Sequence, residues 1–287
     1  IETVKKLAAY HQYYAVNKAV QTTIIASAAN GNKKAGVVWH TQGSGKTALA
    51  YYNVKYLTHY YQQKNVIPKF YFIVDRLDLL IQAGKEFRSR GLVVHNINSR
   101  EEFSKEIKTT SVIHNNSGKP EITVVNIQKF QDDPDLIKNT DYNLNIQRVY
   151  FLDEVHRSYN PEGSFLANLN QSDKNAVKIG LTGTPLLGTD YNSKSLFGSY
   201  IHKYYYNSSI ADGYTLRLIR EEIETNYQLK LKEALESIDI LKGNADKKQV
   251  YAHPRFVEPM LDYIVQDFER ARISFNDNTV GAMVVCD

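Results

Sequence analysis

The run Gly43-Ser44-Gly45-Lys46-Thr47 constrains this chain more than any other stretch. It follows the apolar Gly36-Val37-Val38-Trp39 and precedes the helix-forming Ala48-Leu49-Ala50-Tyr51-Tyr52. Strand, glycine loop, Lys-Thr and helix, in that order, are the context a phosphate-binding loop requires. The glycines let backbone N–H groups turn inward around a polyphosphate, and the new helix presents its positive dipole end to the same anion. In such a loop Lys46 reaches the β- and γ-phosphates and Thr47 holds Mg²⁺. The long form of the motif has a further glycine where His40 stands, so the match is to the shorter GxGK[ST] core.

A chain of 287 residues suits one large or two modest domains. The net charge of +4 is compatible with a nucleic-acid partner and equally with a solvated surface. Cys286 is the only cysteine, which excludes an internal disulfide and a cysteine-based zinc cluster and favours a reducing cytoplasm. No apolar run approaches the roughly 18 residues of a membrane span, so no membrane partner is expected. The polar start Ile1-Glu2-Thr3-Val4-Lys5-Lys6 is no signal peptide, and opening on Ile suggests a piece of a longer chain.

Short β-rich runs alternate with helical patterns. Strands are expected at 36–39, 69–74, 92–96, 122–126, 148–152 and 177–181, and helices at 4–29, 46–63, 76–90, 99–108 and 164–170. Near-continuous apolar strands between helices imply a parallel sheet covered on both faces, an α/β fold. Ligands of such sheets bind at the carboxyl ends of the strands. From 225 to 249 the chain is charged and weakly patterned, a linker or a loosely held helix; helical periodicity returns over 255–273. Asn276-Asp277-Asn278-Thr279 reads as a turn, and 280–286 as a new strand that opens a second domain.

Two further motifs fall at strand ends. Arg148-Val149-Tyr150-Phe151-Leu152 runs into Asp153-Glu154-Val155-His156. Paired carboxylates at the end of an apolar strand are costly unless they face a cation or water. Asp153 suits Mg²⁺ coordination through water, and Glu154 suits positioning and polarising the attacking water. Taken alone, a solvated loop explains the pair as well. The phosphate loop upstream favours the functional reading. Leu181-Thr182-Gly183-Thr184-Pro185 is in isolation a turn. In this company it reads as a sensor loop whose hydroxyls couple His156 to the far side of the domain.

The order GSGKT, DEVH, LTGTP resembles that of superfamily-two helicases and translocases. More specifically, the chain resembles the R (restriction, motor) subunit of type I restriction enzymes. The resemblance is carried by Tyr10-His11-Gln12-Tyr13-Tyr14, by Trp39-His40-Thr41-Gln42-Gly43-Ser44-Gly45-Lys46-Thr47, and by Ile73-Val74-Asp75-Arg76-Leu77-Asp78-Leu79. Val125-Asn126-Ile127-Gln128-Lys129-Phe130, the DEAH-type box Asp153-Glu154-Val155-His156, Phe197-Gly198-Ser199-Tyr200-Ile201, Ile210-Ala211-Asp212-Gly213 and Gly281-Ala282-Met283-Val284-Val285-Cys286 extend it over nearly the whole chain.

This resemblance implies a RecA-like ATP-binding motor domain over 1–224, a linker and helical segment over 225–279, and the first strand of a second RecA-like domain over 280–287. It implies ATP and Mg²⁺ as cofactors, double-stranded DNA as track, and methyltransferase (M) and specificity (S) subunits as partners in a bacterial or archaeal cytoplasm. Gln12 is expected to read the adenine amino edge, with Tyr10 or Tyr13 stacking on the base only if core packing does not claim them. Arg76, Gln128 and Lys129 are expected along the DNA backbone, and Thr182, Gly183 and Thr184 in coupling. No strand before Gly36 carries the acidic pair and Lys of a nuclease site, so this chain is not expected to cut DNA, and without the arginine finger of a second motor domain it is expected to hydrolyse little ATP. The alternatives are another helicase or repair translocase of the superfamily, and a non-catalytic nucleotide-gated scaffold.

Overall fold

The computed structural model describes residues 7–29, 33–97, 99, 102–103, 106, 118–126, 145–154, 169, 173–188, 192–217, 222, 224–242, 252–276, 279 and 281–284. The chain divides into two compact units, Ile1–Arg217 and Leu218–Asp287.

The first unit is built on a seven-stranded sheet with strand order β3-β4-β2-β5-β6-β1-β7. The strands are β1 (Lys34–His40), β2 (Ile67–Val74), β3 (Val93–Ile97), β4 (Glu121–Asn126), β5 (Ile146–Asp153), β6 (Val177–Thr182) and β7 (Tyr200–Tyr204). Every pairing is parallel. Among the described residues the helices of this unit are α1 (Tyr10–Ala28), α2 (Lys46–Gln62), α3 (Leu77–Ser89), α4 (Ser193–Phe197) and α5 (Tyr206–Ala211). This is a RecA-like phosphate-loop architecture, with β6 between the loop strand β1 and the acidic strand β5.

Alternation along each strand sorts the core into two layers. Val38, Phe70, Phe72, Val149, Phe151 and Ile179 face α1, α2 and α3. Val37, Tyr71, Ile73, Tyr150 and Leu152 face the other side, against Phe103, Leu169 and Phe197. With both faces covered, the central strands need apolar residues at successive positions, which is why they read as continuous apolar runs.

Charge is buried near the amino ends of the central strands. Lys69 and Arg148 are register partners on β2 and β5. Lys69 pairs with Glu106 at 3.3 Å, and Arg148 with Asp173 at 3.6 Å. The rings of Tyr71 and Tyr150 stack beside them at 4.7 Å, and the Tyr150 hydroxyl donates to Asp173.

The start of the first helix differs from the sequence expectation. The first helix begins at Tyr10, and Leu7–Ala9 are irregular. The Gln12 side chain explains the start: its Oε1 accepts from the Ala9 N–H at 3.1 Å and so caps the first turn. An edge strand, β7, also joins the sheet beside β1, beyond the strands expected from the sequence.

The second unit contains α6 (Thr225–Lys242) and α7 (Pro254–Phe275), which pack on each other. Tyr227 meets the Tyr263 ring at 4.4 Å and donates to Gln266 at 2.9 Å. The stretch from 225 is therefore a helix with a partner through Lys242. Gly281–Val284 are exposed and form no strand, because a strand takes its shape from a bonded neighbour and none pairs with them among the described residues. Among the described residues no helix is long and apolar enough to cross a membrane.

Candidate nucleotide site

β1 ends at His40 and the chain turns through the loop into α2 at Lys46. Gly43 and Gly45 adopt left-handed φ values of 80° and 81°, the conformation that opens the loop's N–H groups inward and that glycine adopts without strain. A Cβ on Gly45 would stand 2.3 Å from Gln12 Nε2, so any side chain there displaces the Gln12 amide.

A cleft of about 660 Å³ opens over this loop, the size of a small-molecule site. Gly43, Gly45, Lys46, Thr47, Asp153 and Glu154 line it. The Lys46 ammonium, 9% exposed, lies 3.6 Å from Glu154 Oε1 and 3.5 Å from the His40 carbonyl. Residues more than a hundred positions apart therefore meet because β1 and β5 end at the same rim of the sheet.

Burial pushes the Asp153 carboxyl up to about 7; the Lys46 ammonium opposes this, while Glu154 and Asp75 add to it. Asp75 is buried just beyond β2. Glu154 holds a left-handed φ of 50°, uncommon for a residue with a side chain. Thr47, Asp153 and Glu154 offer hard oxygen donors at one cleft, the donor set that suits Mg²⁺.

The loop is clamped from α1. Ser44 O accepts from His11 Nε2 at 3.1 Å and from Gln12 Nε2 at 3.0 Å. Because the acceptor is a carbonyl, His11 carries its proton on Nε2. His11 is buried and stacks on Tyr204 at 4.0 Å. Gln12 thus uses one amide hydrogen on Ser44 and one oxygen lone pair on Ala9, which leaves one donor and one acceptor position for a ligand. His40 contacts His202 through Nε2 at 2.8 Å. Burial and the neighbouring His202, His11 and Lys46 push the His40 pKa down to about 3.

The Thr182-Gly183-Thr184 loop packs on the start of the phosphate loop. A Cβ on Gly183 would meet Gln42 N and His40 O at 3.3 Å each. The Trp39 indole donates to Gly183 O at 3.1 Å, and Thr182 Oγ1 accepts from Thr184 N at 3.1 Å. Arg76 occupies the N-cap position of α3 just beyond β2, half-exposed, with its guanidinium 3.5 Å from Asp78. His156, Gln128 and Lys129 lie outside the described residues. Tyr10 gives its hydroxyl to Asp212 at 2.6 Å, and Tyr13 lines a separate groove with Val16, Tyr52 and Tyr56.

Sequence reasoning assigned no site role to His11, Trp39, Asp75, Asp212 or Tyr214. Their motifs were legible, but which of their side chains turn toward the loop depends on folding, and Tyr214 belongs to no motif.

A profile of the SWI2/SNF2 ATPase matches residues 11–250. The chain is 30% identical over 232 residues to the Type I restriction enzyme HindI endonuclease subunit of Haemophilus influenzae, covering 77% of this chain and 21% of that protein. It is 29% identical over 273 residues to the Type I restriction enzyme SauCOLORF180P endonuclease subunit of Staphylococcus aureus, covering 91% of this chain and 26% of that protein. The chain thus spans between about a fifth and a quarter of the length of these curated relatives. Among solved structures, a nuclease-deletion mutant of the Type ISP restriction-modification enzyme LlaGI in complex with a DNA substrate mimic aligns with a TM-score of 0.48 at 16% identity, covering 84% of this chain and 23% of that one.

Proposed function

The chain belongs to the SWI2/SNF2 ATPase family, and on that footing we propose that it is the ATP-binding motor part of a type I restriction endonuclease R subunit. In this reading ATP hydrolysis pulls double-stranded DNA, and a nuclease domain elsewhere in the subunit cuts it. One observation carries the reading: Lys46 and Glu154 meet at 3.6 Å in a cleft that Asp153 also lines. The endonuclease-subunit relatives support the restriction context.

Gly43, Ser44 and Gly45 give the triphosphate backbone N–H groups, and the start of α2 adds its dipole. Lys46 leaves Glu154 for the β- and γ-phosphates. Glu154, freed of the ammonium, orients and polarises the attacking water. Thr47 and Asp153 hold Mg²⁺, which when bound neutralises charge on the phosphate oxygens. Gln12 spends its spare donor and acceptor on the adenine amino edge.

The Thr182-Gly183-Thr184 loop and His156 link the state of the nucleotide to the DNA track, and the Trp39 bond to Gly183 supports that link. Arg76, Gln128 and Lys129 follow the phosphate backbone of the duplex, with affinity that falls as salt rises. Methyltransferase and specificity subunits select the DNA site, and a second motor domain supplies the arginine finger.

The test is ATP hydrolysis by the full-length R subunit with plasmid, with single-stranded DNA and with none. Stimulation by the duplex is expected. Equal turnover in all three would contradict a duplex motor.

A further inference from the structure

One wall of the cleft comes from a segment that none of the nucleotide motifs reaches. Tyr214 lines it together with Leu7, Ala9, Gln12 and Gly43. Its carbonyl oxygen is 3.6 Å from where a Cβ on Gly43 would stand, so this segment borders the first glycine of the loop. The residue is 49% exposed, and its ring meets the buried His11 ring at 5.1 Å and 77°.

The turn that delivers this ring is fixed at several points. Gly213 takes a left-handed φ of 76°, and its N–H donates to Ile210 O at 3.0 Å. Tyr214 N donates to Ser209 O at 2.9 Å. Asp212 Oδ2 accepts from the Tyr10 hydroxyl and from the Tyr204 hydroxyl, each at 2.6 Å. Those two bonds tie the turn to the first turn of α1 and to the end of β7. The Tyr10 bond, then the Tyr204 bond, hold the Asp212 carboxyl below its usual range. The charged form is the better acceptor for both phenols.

The polarity of the site follows. Lys46 at the α2 end of the loop faces Glu154, so the reacting phosphates lie there. The base then falls at the Gly43 end, beside the spare amide positions of Gln12 and the open ring of Tyr214. A half-exposed aromatic ring on an anchored backbone offers a stacking surface at small ordering cost. We propose that Tyr214 is the stacking platform for the nucleobase and that Asp212 is the positioning residue that aims it. The proposal rests on the phosphate-loop reading above and adds the base subsite.

Displacement of a fluorescent ATP analogue from the full chain, by ATP and separately by inorganic tripolyphosphate with Mg²⁺, tests it. Tyr214→Ala is expected to weaken ATP about tenfold, the scale of base–aromatic stacking, and to leave tripolyphosphate unchanged. Tyr214→Phe keeps the π-face and should bind ATP as the parent does. Asp212→Asn should weaken ATP by about threefold, again sparing tripolyphosphate, because a neutral acceptor holds the two phenols less firmly. Should Tyr214→Ala not fold, Tyr214→Leu removes the π-face while keeping bulk. Parallel weakening of both ligands, or undiminished ATP binding by Tyr214→Ala, overturns the platform. Lys46→Ala is the control and should lose both ligands. If it keeps both, the phosphate-loop reading falls and the platform falls with it.

Discussion

Lys46 Nζ and Glu154 Oε1 stand 3.6 Å apart, joining the end of the phosphate loop to the end of β5. The ammonium is thus held by the carboxylate that nucleotide must displace. Glu154→Gln removes that competitor and the group that polarises water. ATP binding should stay at least as tight as in the parent, while hydrolysis falls by about a hundredfold or more. Nucleotide retained by the full-length subunit after gel filtration, set against its turnover rate, checks this. Loss of binding would show that Glu154 acts on the nucleotide and not on water.

Gly45→Ala should damage the site through Gln12. The added methyl meets Gln12 Nε2 at 2.3 Å and expels it from Ser44 O. Alanine at a left-handed φ of 81° adds about 1–2 kcal/mol of backbone strain. Nucleotide affinity should fall at least about tenfold, with a melting point lowered by only a few degrees. Calorimetry and nucleotide titration of the same sample separate the two effects.

His40 should contribute a loss of stability in mild acid, set against an opposite contribution from Asp153, whose folded carboxyl is held up to about 7 and so takes a proton that the unfolded chain refuses. The folded pKa of His40 is near 3, below the ordinary histidine value. At His40 the unfolded chain therefore binds a proton that the folded one refuses, so this contribution is full above about pH 6.5 and declines as pH falls toward 3. The slope for one such group is about 1.4 kcal/mol per pH unit. The His202 ring, pushed down by burial and by Lys18 and His11, adds in the same direction. Urea unfolding of the parent and of His40→Gln between pH 7.5 and 5 isolates the His40 part as the difference between their two slopes, and equal slopes would contradict it.

Asp173→Ala should be among the most damaging changes far from the cleft. It leaves the buried Arg148 guanidinium without the carboxylate 3.6 Å away, and Tyr150 without its acceptor. Removing one partner of a buried pair costs about 3–5 kcal/mol, a fall in melting point on the order of 10 °C. A circular-dichroism melt checks this; an unchanged midpoint would mean that water or another group compensates.

The fold was legible where local chemistry and tertiary demand agree. Phe70–Val74 and Val149–Leu152 are apolar at every position because helices cover both faces of the sheet, and that continuity can be read directly. β7 was harder, since an edge strand with Ile201 and Tyr204 buried and Lys203 exposed carries little apolar signal. The stretch from Thr225 read as a linker or a loosely held helix because its helix has a weak amphipathic pattern and gains stability from α7.

At the site, the loop, Asp153 and Glu154 were legible as residue types tied to a chemistry. The support beneath them was not. Asp212 holds Tyr10 across 202 positions, and His11 holds Ser44 across 33; such distances follow no local period. Arg76 could be placed at a strand end from sequence, but its pairing with Asp78 follows from the turn into α3.

The most direct measurement is ATP hydrolysis by Lys46→Ala in the full-length subunit with plasmid DNA present. With the ammonium gone, the γ-phosphate loses the cation that the α2 end of the loop supplies. Turnover should drop by at least about a thousandfold while the melting point stays within a few degrees of the parent. Hydrolysis at the parental rate would mean that the Lys46–Glu154 cleft is not where ATP is consumed.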